Sequence, residues 1–169
     1  MTIVSICTIA LTMLSPRSTP QQMSVCIQVL QAAEERGLPL PLVASLSWHE
    51  SRFHDDRTSR AGAVGPLQVL PKFWCKADPC DHIEAGLNAL QWYIQKTQNY
   101  SSAICRYNAG TCSRLSSAWS KKVIQTARFL TAQVTRSFTC SSHTQKQATT
   151  HQSKSSITAS CLQSSTRTN

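Results

Sequence analysis

The segment SWHESRF, residues 47–53, contains a single glutamate, Glu50, at the end of an otherwise apolar run. Val43 and Leu46 precede it at helical spacing, which puts Glu50 on the core-directed face of its helix. Removal from water disfavours the charged form of a carboxyl group and raises its pKa, as a general acid requires at neutral pH. Glu50 is therefore the candidate catalytic residue. The pattern leaves one alternative open, an ion pair between Glu50 and a nearby arginine: Arg52, Arg57 or Arg60.

The next segment whose residues could bind a ligand is RAGAVGPLQVLP, which begins ten residues after this glutamate. Gly62 and Gly65 are positions where the backbone could approach a ligand closely. Gln68 offers a neutral amide that suits sugar hydroxyl and acetamido groups. Trp48 and Trp74 could be stacking surfaces for a glycan, although ordinary core packing is the more common role of such residues.

A third polar group follows in RYNAG, where Tyr107 and Asn108 precede Gly110. The phenol and the amide can both hydrogen-bond to sugar substituents. An acid, neutral hydrogen-bonding groups and aromatic surface together favour a glycan as the substrate.

The elements that must position these groups are predicted to be helices. Met23, Ile27 and Leu30 belong to an apolar stripe that ends at Gly37, a typical helix stop. The next helix begins near Pro41 and ends near Glu50. Later helices carry the following residues: Asp81 and Glu84 at the cap, Ile83, Leu87, Leu90 and Ile94 in one stripe, and Trp119, Val123, Ala127, Leu130 and Val134 in the last. No segment alternates with period two, so the predicted fold is mainly α.

The chain of 169 residues is the size of one domain, and its net charge is +9. All eight acidic residues lie at or before Glu84, and ten of the seventeen basic residues follow it. A surface of this kind favours anionic polymers, including nucleic acid, a lipid surface or a cell-wall glycan, without selecting among them.

Eight cysteines are more than a reduced cytosolic protein of this size usually carries. Cys75 with Cys80, and Cys105 with Cys112, bracket short turns and are predicted to form local disulfides. The same four residues could form a zinc site, but their spacings fit the usual zinc-ligand patterns poorly. Cys26, on a helix face, is predicted to be a buried free thiol.

The two ends of the chain differ from its middle. Residues 1–20 carry an apolar run of signal-peptide length, too short to span a bilayer, although no basic residue precedes it. Residues 139–169 are rich in Ser and Thr, with few large aliphatic residues, and are predicted to be disordered and basic. The predicted folded domain is therefore 21–138, and the predicted location is periplasmic or exported.

The order of these motifs resembles that of lytic transglycosylases of the soluble-transglycosylase (SLT) type, which have a lysozyme-like α fold. The family's Glu-Ser pair, Gly-Leu-Met-Gln motif and Ala-Tyr-Asn-Ala-Gly motif correspond here to Glu50-Ser51, 65–68 (GPLQ) and 106–110 (RYNAG). The resemblance covers roughly residues 22–130. This sequence departs from the family at Pro66, Leu67, His82 and Arg106.

The resemblance implies an enzyme that cleaves the bond between N-acetylmuramic acid and N-acetylglucosamine and forms a 1,6-anhydro ring. It implies that Glu50 acts first as acid and then as base, that Tyr107 orients Glu50, and that Ser51, Gln68 and Asn108 bind substrate. No cofactor or metal is implied. His49 and His54 are interpreted as solvent-side residues.

Alternatives to this function remain open from the sequence. A second carboxylate, Asp55 or Asp56, would make the protein a hydrolase similar to goose-type lysozyme. A non-catalytic binder of wall polymer or nucleic acid is a weaker alternative, because no nucleic-acid recognition element stands out. The expected partner is peptidoglycan, acted on by a monomer without a stable membrane span. The expected setting is a conjugation, pilus or secretion machinery, or a bacteriophage particle.

Overall fold

A computed structural model describes residues 2–148 except 16 and 77, with side chains through residue 137. The chain is mainly helical, and no β-strand occurs among these residues apart from isolated bridges in the loop before Val69, so the predicted fold class is confirmed. The helices are α1 (Ile3–Leu14), α2 (Pro20–Glu35), α3 (Leu40–Ser51), α4 (Pro71–Trp74), α5 (His82–Thr97), α6 (Tyr100–Ala109) and α7 (Arg114–Ala148).

The α3 helix, which ends just after Glu50, lies at the centre of the fold. It packs against α1, α2 and α7, and nine of its residues are buried. Its first turn contains Pro41, as predicted, and its C-cap residue Arg52 adopts a left-handed conformation with φ 63°. Burial on several sides fixes the direction of the helix and hence the position of the glutamate in its last turn.

The α2 helix holds the end of α3 in place. Thr19 and Gln22 form a reciprocal capping box at the start of α2, and the Gln22 side chain also donates to the Arg52 carbonyl at 2.8 Å. The helix ends at Glu35, and Gly37 follows with φ 63°, which confirms the predicted stop. The capped end of α2 is thus hydrogen-bonded directly to the turn that follows the candidate acid.

The α1 helix is formed by the segment predicted as a signal peptide. Ile6 and Leu11 are buried in the core, and α1 contacts α2, α3 and α7. Cys7 is bonded to Cys26, so the prediction that Cys26 is a free thiol is wrong. The packed structure therefore begins before residue 21, while cleavage of the segment stays a prediction.

The other cysteine predictions are confirmed where the structure describes the side chains. Cys75 is bonded to Cys80, and Cys105 to Cys112. These pairings occupy all four sulfur atoms that the alternative zinc site would have required. Disulfides of this kind are typical of proteins that fold in an oxidising compartment.

The α7 helix is described from Arg114 to Ala148, past the predicted domain boundary at residue 138, and that boundary stays a prediction. The rest of the predicted tail, residues 149–169, lies outside the described residues. Within the described part of the chain, no helix is both long and apolar enough to cross a membrane.

The α5 helix packs against the second motif, residues 65–68. Asp81 caps it by accepting from the backbone N–H groups of Ile83 and Glu84, as predicted. Gly86 faces the buried Leu67 side chain, and a Cβ at Gly86 would lie 2.7 Å from the Leu67 Cβ. Only glycine therefore lets the motif pack this closely against α5.

Gly86→Ala tests this contact. Alanine is the better helix former, by about 1 kcal/mol, but the overlap with Leu67 costs about 1–3 kcal/mol. We expect a net loss of stability, measured as a lower midpoint of urea unfolding. The double variant Gly86→Ala with Leu67→Ala should lose less than the sum of the two single variants, and strict additivity would contradict the contact.

Candidate active site

A cleft of about 450 Å³ lies between the end of α3, the loop before α4 and the helices α5 and α6. Six residues of the sequence motifs line it: Glu50, Gln68, Tyr107, Asn108, Ala109 and Gly110. The structure therefore brings together the acid, the amides and the phenol that are up to sixty residues apart in sequence.

The Glu50 carboxyl lies at the wall of this cleft and is partly buried. Loss of hydration raises its pKa from 4.5 to about 8, while the positive charge of Arg57 lowers it by a smaller amount. No described side chain forms an ion pair or hydrogen bond with it. The group is therefore protonated at neutral pH and free to donate its proton into the cleft.

The three arginines that could have neutralised Glu50 are engaged elsewhere or exposed. The Arg52 guanidinium lies over the Trp48 ring, 4.4 Å from its centroid. Arg57 donates to the Ser51 carbonyl at 3.4 Å. Arg60 is exposed. The ion-pair alternative that the sequence left open is therefore not the arrangement in the structure.

Tyr107 contacts the second motif. Its hydroxyl donates to the Leu67 carbonyl at 2.7 Å. Burial, followed by the nearby Glu50 and Tyr93, raises the pKa of the phenol well above its usual value, so it keeps its proton. Because that proton is donated to Leu67, the phenol oxygen can only accept a hydrogen bond from any further group in the cleft.

Two serines of α3 fix the same turn from the other side. Ser47 and Ser51 donate to the Pro66 carbonyl at 3.0 and 2.9 Å, and both hydroxyls are fully buried. Ser51 also accepts from the His54 backbone N–H at 3.1 Å. The Ser51 hydroxyl is therefore buried and holds the loop, and Ser51 does not line the cleft. Its role in binding substrate stays a prediction.

The glycines of the second segment shape the turn. Gly62 and Gly65 have φ of 79° and 75°, and Gly62 does not line the cleft. A Cβ at Gly65 would lie 2.8 Å from the His82 Cβ. Both glycines thus allow a tight turn, and Gly65 also allows close packing on α5. Neither glycine lines the cleft, so a close approach of their backbone to a ligand stays a prediction.

Gln68 follows this turn, itself with φ 48°. Its Nε2 atom donates to the carbonyls of Arg57 and Gly65 at 2.9 and 3.0 Å. Both amide protons are used, and the side-chain oxygen has no partner among the described residues. Gln68 can therefore accept a hydrogen bond from a ligand N–H or O–H but has no proton left to donate.

The aromatic residues divide between core and cleft. Trp48 is buried in the core, whereas Trp74 lines the cleft together with Phe73 and Tyr93. Sequence analysis missed the last two residues. Phe73 adjoins Trp74 in the segment PKFW, and Tyr93 lies a helical turn from Ala89, but nothing in the pattern distinguished cleft from core.

Two further predictions concern charged and histidine side chains near Glu50. His49 is half-buried, hydrogen-bonded to Thr126 at 3.0 Å and in edge contact with Trp119, so its assignment to the solvent side is wrong. Burial lowers its pKa, with smaller effects from Arg52 and Lys122. His54 is exposed, as predicted. Neither Asp55 nor Asp56 lines the cleft, and both are exposed.

A possible metal site lies beside the cleft, where Cys75, Cys80 and His82 bring their ligand atoms within 4.8 Å of one another. The two sulfur atoms are bonded to each other, and a metal would require thiolates. In the oxidised protein this group is therefore a structural link that closes the loop between α4 and α5.

Comparison with known proteins gives one family. The model of the transglycosylase SLT domain matches residues 28–126 of the chain, a range that includes all three motifs. No solved structure matches it significantly.

Glu50→Gln tests the raised pKa through stability. Between pH 4.5 and about 8, the unfolded chain ionises this carboxyl while the folded protein keeps it protonated, so wild-type stability falls as pH rises. The glutamine variant cannot ionise. Its free energy of unfolding should exceed that of wild type by an amount that grows, to a few kcal/mol, from about pH 5 to about pH 8.

Denaturant unfolding at several pH values measures this difference. Glu35→Gln is the matched control, since it removes an exposed carboxyl group from α2. A gain for Glu50→Gln that is equal at pH 5 and pH 8 would show that the carboxyl is ionised in the folded protein.

Proposed function

The chain belongs to the transglycosylase SLT domain family, and we propose that it is a peptidoglycan lytic transglycosylase that uses Glu50 as its only catalytic carboxyl group. The observation that carries the proposal is the protonated Glu50 in a cleft whose other polar groups, Gln68, Tyr107 and Asn108, are neutral. A site of this composition suits an uncharged sugar backbone better than a phosphorylated or strongly ionic substrate.

The reaction has two proton transfers through the same side chain. Glu50 donates its proton to the glycosidic oxygen between N-acetylmuramic acid and N-acetylglucosamine as that bond breaks. The acetamido group of the muramic residue stabilises the positive charge at the anomeric carbon. The ionised Glu50 then accepts the proton of the 6-hydroxyl of the same muramic residue, while the oxygen of that hydroxyl attacks the anomeric carbon. A 1,6-anhydro ring forms, and no water is consumed.

Tyr107 supports the acid form of Glu50. The Tyr107 hydroxyl already donates its hydrogen bond to the Leu67 carbonyl. The phenol oxygen can therefore accept a hydrogen bond from a protonated carboxyl group, but it has no proton to donate to a carboxylate. Such a bond favours the proton-bearing state, adding to the effect of burial. Gln68, with only its oxygen free, is suited to accept from the N–H of an acetamido group, and the exposed Asn108 amide can donate or accept.

The hydrolase alternative needs a second carboxylate that activates water on the opposite face of the sugar. Among the residues that the structure describes, Glu50 is the only acidic one that lines the cleft. Asp55 instead accepts from Gln21 at 3.1 Å on the outer surface. The geometry therefore favours intramolecular attack by the 6-hydroxyl over attack by an activated water molecule.

The proposed location is outside the cytoplasm, where peptidoglycan lies. The three disulfides among the described residues support it, since such bonds form in oxidising compartments. The proposed biological role is local opening of the wall for a conjugation, pilus or secretion machinery. It rests on the resemblance.

The reaction products test the proposal. Mass spectrometry of purified peptidoglycan digested by the protein should show muropeptides that end in 1,6-anhydro-N-acetylmuramic acid. Glu50→Gln should lower the rate by about 100-fold or more, the contribution of a general acid, with an unchanged circular dichroism spectrum. Reducing ends as the main product would identify a hydrolase, and substantial lysis by Glu50→Gln would remove Glu50 from the mechanism.

The pH dependence gives a second prediction. Because catalysis begins from protonated Glu50, kcat/KM on soluble glycan strands should be constant through neutral pH and fall above about pH 8. Above that point the slope should approach tenfold per pH unit. Circular dichroism at each pH controls for unfolding, and a kcat/KM that rises through pH 8 would mean that the ionised form starts the reaction.

A further inference from the structure

An exposed aromatic surface extends from the cleft toward solvent, and nothing in the proposed mechanism uses it. Phe73 lines the cleft and is 67% exposed. Trp92 on α5 is 44% exposed. Trp74 joins them, since it follows Phe73 in sequence and its ring lies 5.8 Å from that of Trp92. We call these three residues the aromatic shelf.

A series of rings in edge-on and tilted contact connects the shelf to Tyr107. Trp74 and Trp92 both contact Tyr93, with centroids 6.1 and 4.9 Å away. Tyr93 in turn contacts Tyr107 at 6.4 Å. Exposed aromatic residues of this size are costly to leave in water and commonly mark a binding surface. Phe73 and Trp74 line the cleft, and Trp92 adjoins Trp74, so the shelf lies directly beside the place that a ligand in the cleft would occupy.

Each exposed ring of the shelf carries a lysine. The Lys72 ammonium lies 4.7 Å from the Phe73 centroid, and the Lys96 ammonium lies 5.6 Å from the Trp92 centroid. The attraction between a cation and a ring face holds both ammonium groups at the shelf. Among the described residues the one ion pair joins Arg36 to Glu84, so neither lysine has a carboxylate partner.

We infer that the shelf, with Lys72 and Lys96, binds the acidic peptide stems of peptidoglycan and makes the enzyme prefer strands that carry them. This inference rests on the proposed function. Aromatic faces pack against the sugar or the aliphatic part of a stem, and the two ammonium groups pair with its carboxylates. A site for bare sugar would need the rings but not two unpaired cations fixed above them.

The neutral cleft and the cationic shelf thus have different ligands. Gln68, Tyr107 and Asn108 meet the uncharged glycan backbone, as described above. The stems leave that backbone on the lactyl groups of alternate sugars, so a cation beside the cleft meets a stem when the backbone occupies the cleft. The substrate is then a peptide-bearing strand, and a strand stripped of its stems binds without the contribution of the lysines.

Binding to an inactive variant tests the inference without turnover. The Glu50→Gln protein is titrated calorimetrically with soluble glycan strands that carry tetrapeptide stems. The comparison strands are stripped of stems by an amidase, and the lactyl carboxylates that this hydrolysis leaves are then converted to uncharged amides. Adding Lys72→Gln and Lys96→Gln should lower the affinity for peptide-bearing strands about three- to tenfold, as two exposed ion pairs would. The affinity for stripped strands should change by less than about twofold.

The control removes two charges elsewhere. Arg114→Gln with Lys121→Gln, in the same Glu50→Gln background, takes two exposed cations from α7 and should leave both affinities within about twofold. An equal loss in this control would mean that net charge alone governs binding. An equal loss on both strand types, or no loss, would overturn the role of the lysines.

The two proposals fail in different ways. Product analysis of the wild-type protein decides the reaction, whereas the strand comparison measures binding alone. Reducing-end products would overturn the transglycosylase proposal and leave the preference for stems intact. Anhydro products together with equal binding of both strand types would support the transglycosylase proposal and overturn the preference for stems.

Discussion

Burial of one carboxyl group without a partner is the interaction on which the site depends. A charged side chain removed from water normally acquires a counter-ion or loses its charge. Here the three nearby arginines are engaged with an aromatic ring, with a backbone carbonyl or with solvent, and Glu50 responds by keeping its proton. The fold thus keeps Glu50 protonated by burying its carboxyl group without a counter-ion. This burial destabilises the folded protein, and the packing of α3 on three helices offsets the loss.

The backbone turn at residues 65–68, unlike the Glu50 carboxyl, is held by several hydrogen bonds. Its Pro66 carbonyl accepts from two serines of α3, and its Leu67 carbonyl accepts from Tyr107 of α6. Leu67 itself lies against Gly86 of α5. Three helices are therefore connected through four residues of turn, and the side chain that leaves this turn, Gln68, is held with its oxygen toward the cleft. The distance between acid and amide is fixed by hydrogen bonds on both sides.

Sequence reasoning reached the parts of this arrangement that depend on local spacing. The inward direction of Glu50 follows from its position after Val43 and Leu46, and the helix ends at Gly37 and Asp81 follow from turn and cap chemistry. Contacts between distant segments were out of reach. The spacing does not show that Ser51 donates to a carbonyl fifteen residues away or that Gly65 packs against His82. It also does not show that Cys26 is bonded to Cys7, because the connectivity of cysteines cannot be deduced from their positions.

The bond between Cys7 and Cys26 gives the N-terminal helix a second covalent attachment, beyond the peptide linker between α1 and α2. A peptidase that cut this linker in the oxidised, folded molecule would produce a nicked protein heavier by one water molecule, whose two pieces separate only on reduction. A cut made before the thiols meet would release the helix and leave Cys26 as a free thiol that α1 no longer covers. If the linker is cut, the order of oxidation and cleavage determines which of these two molecules results.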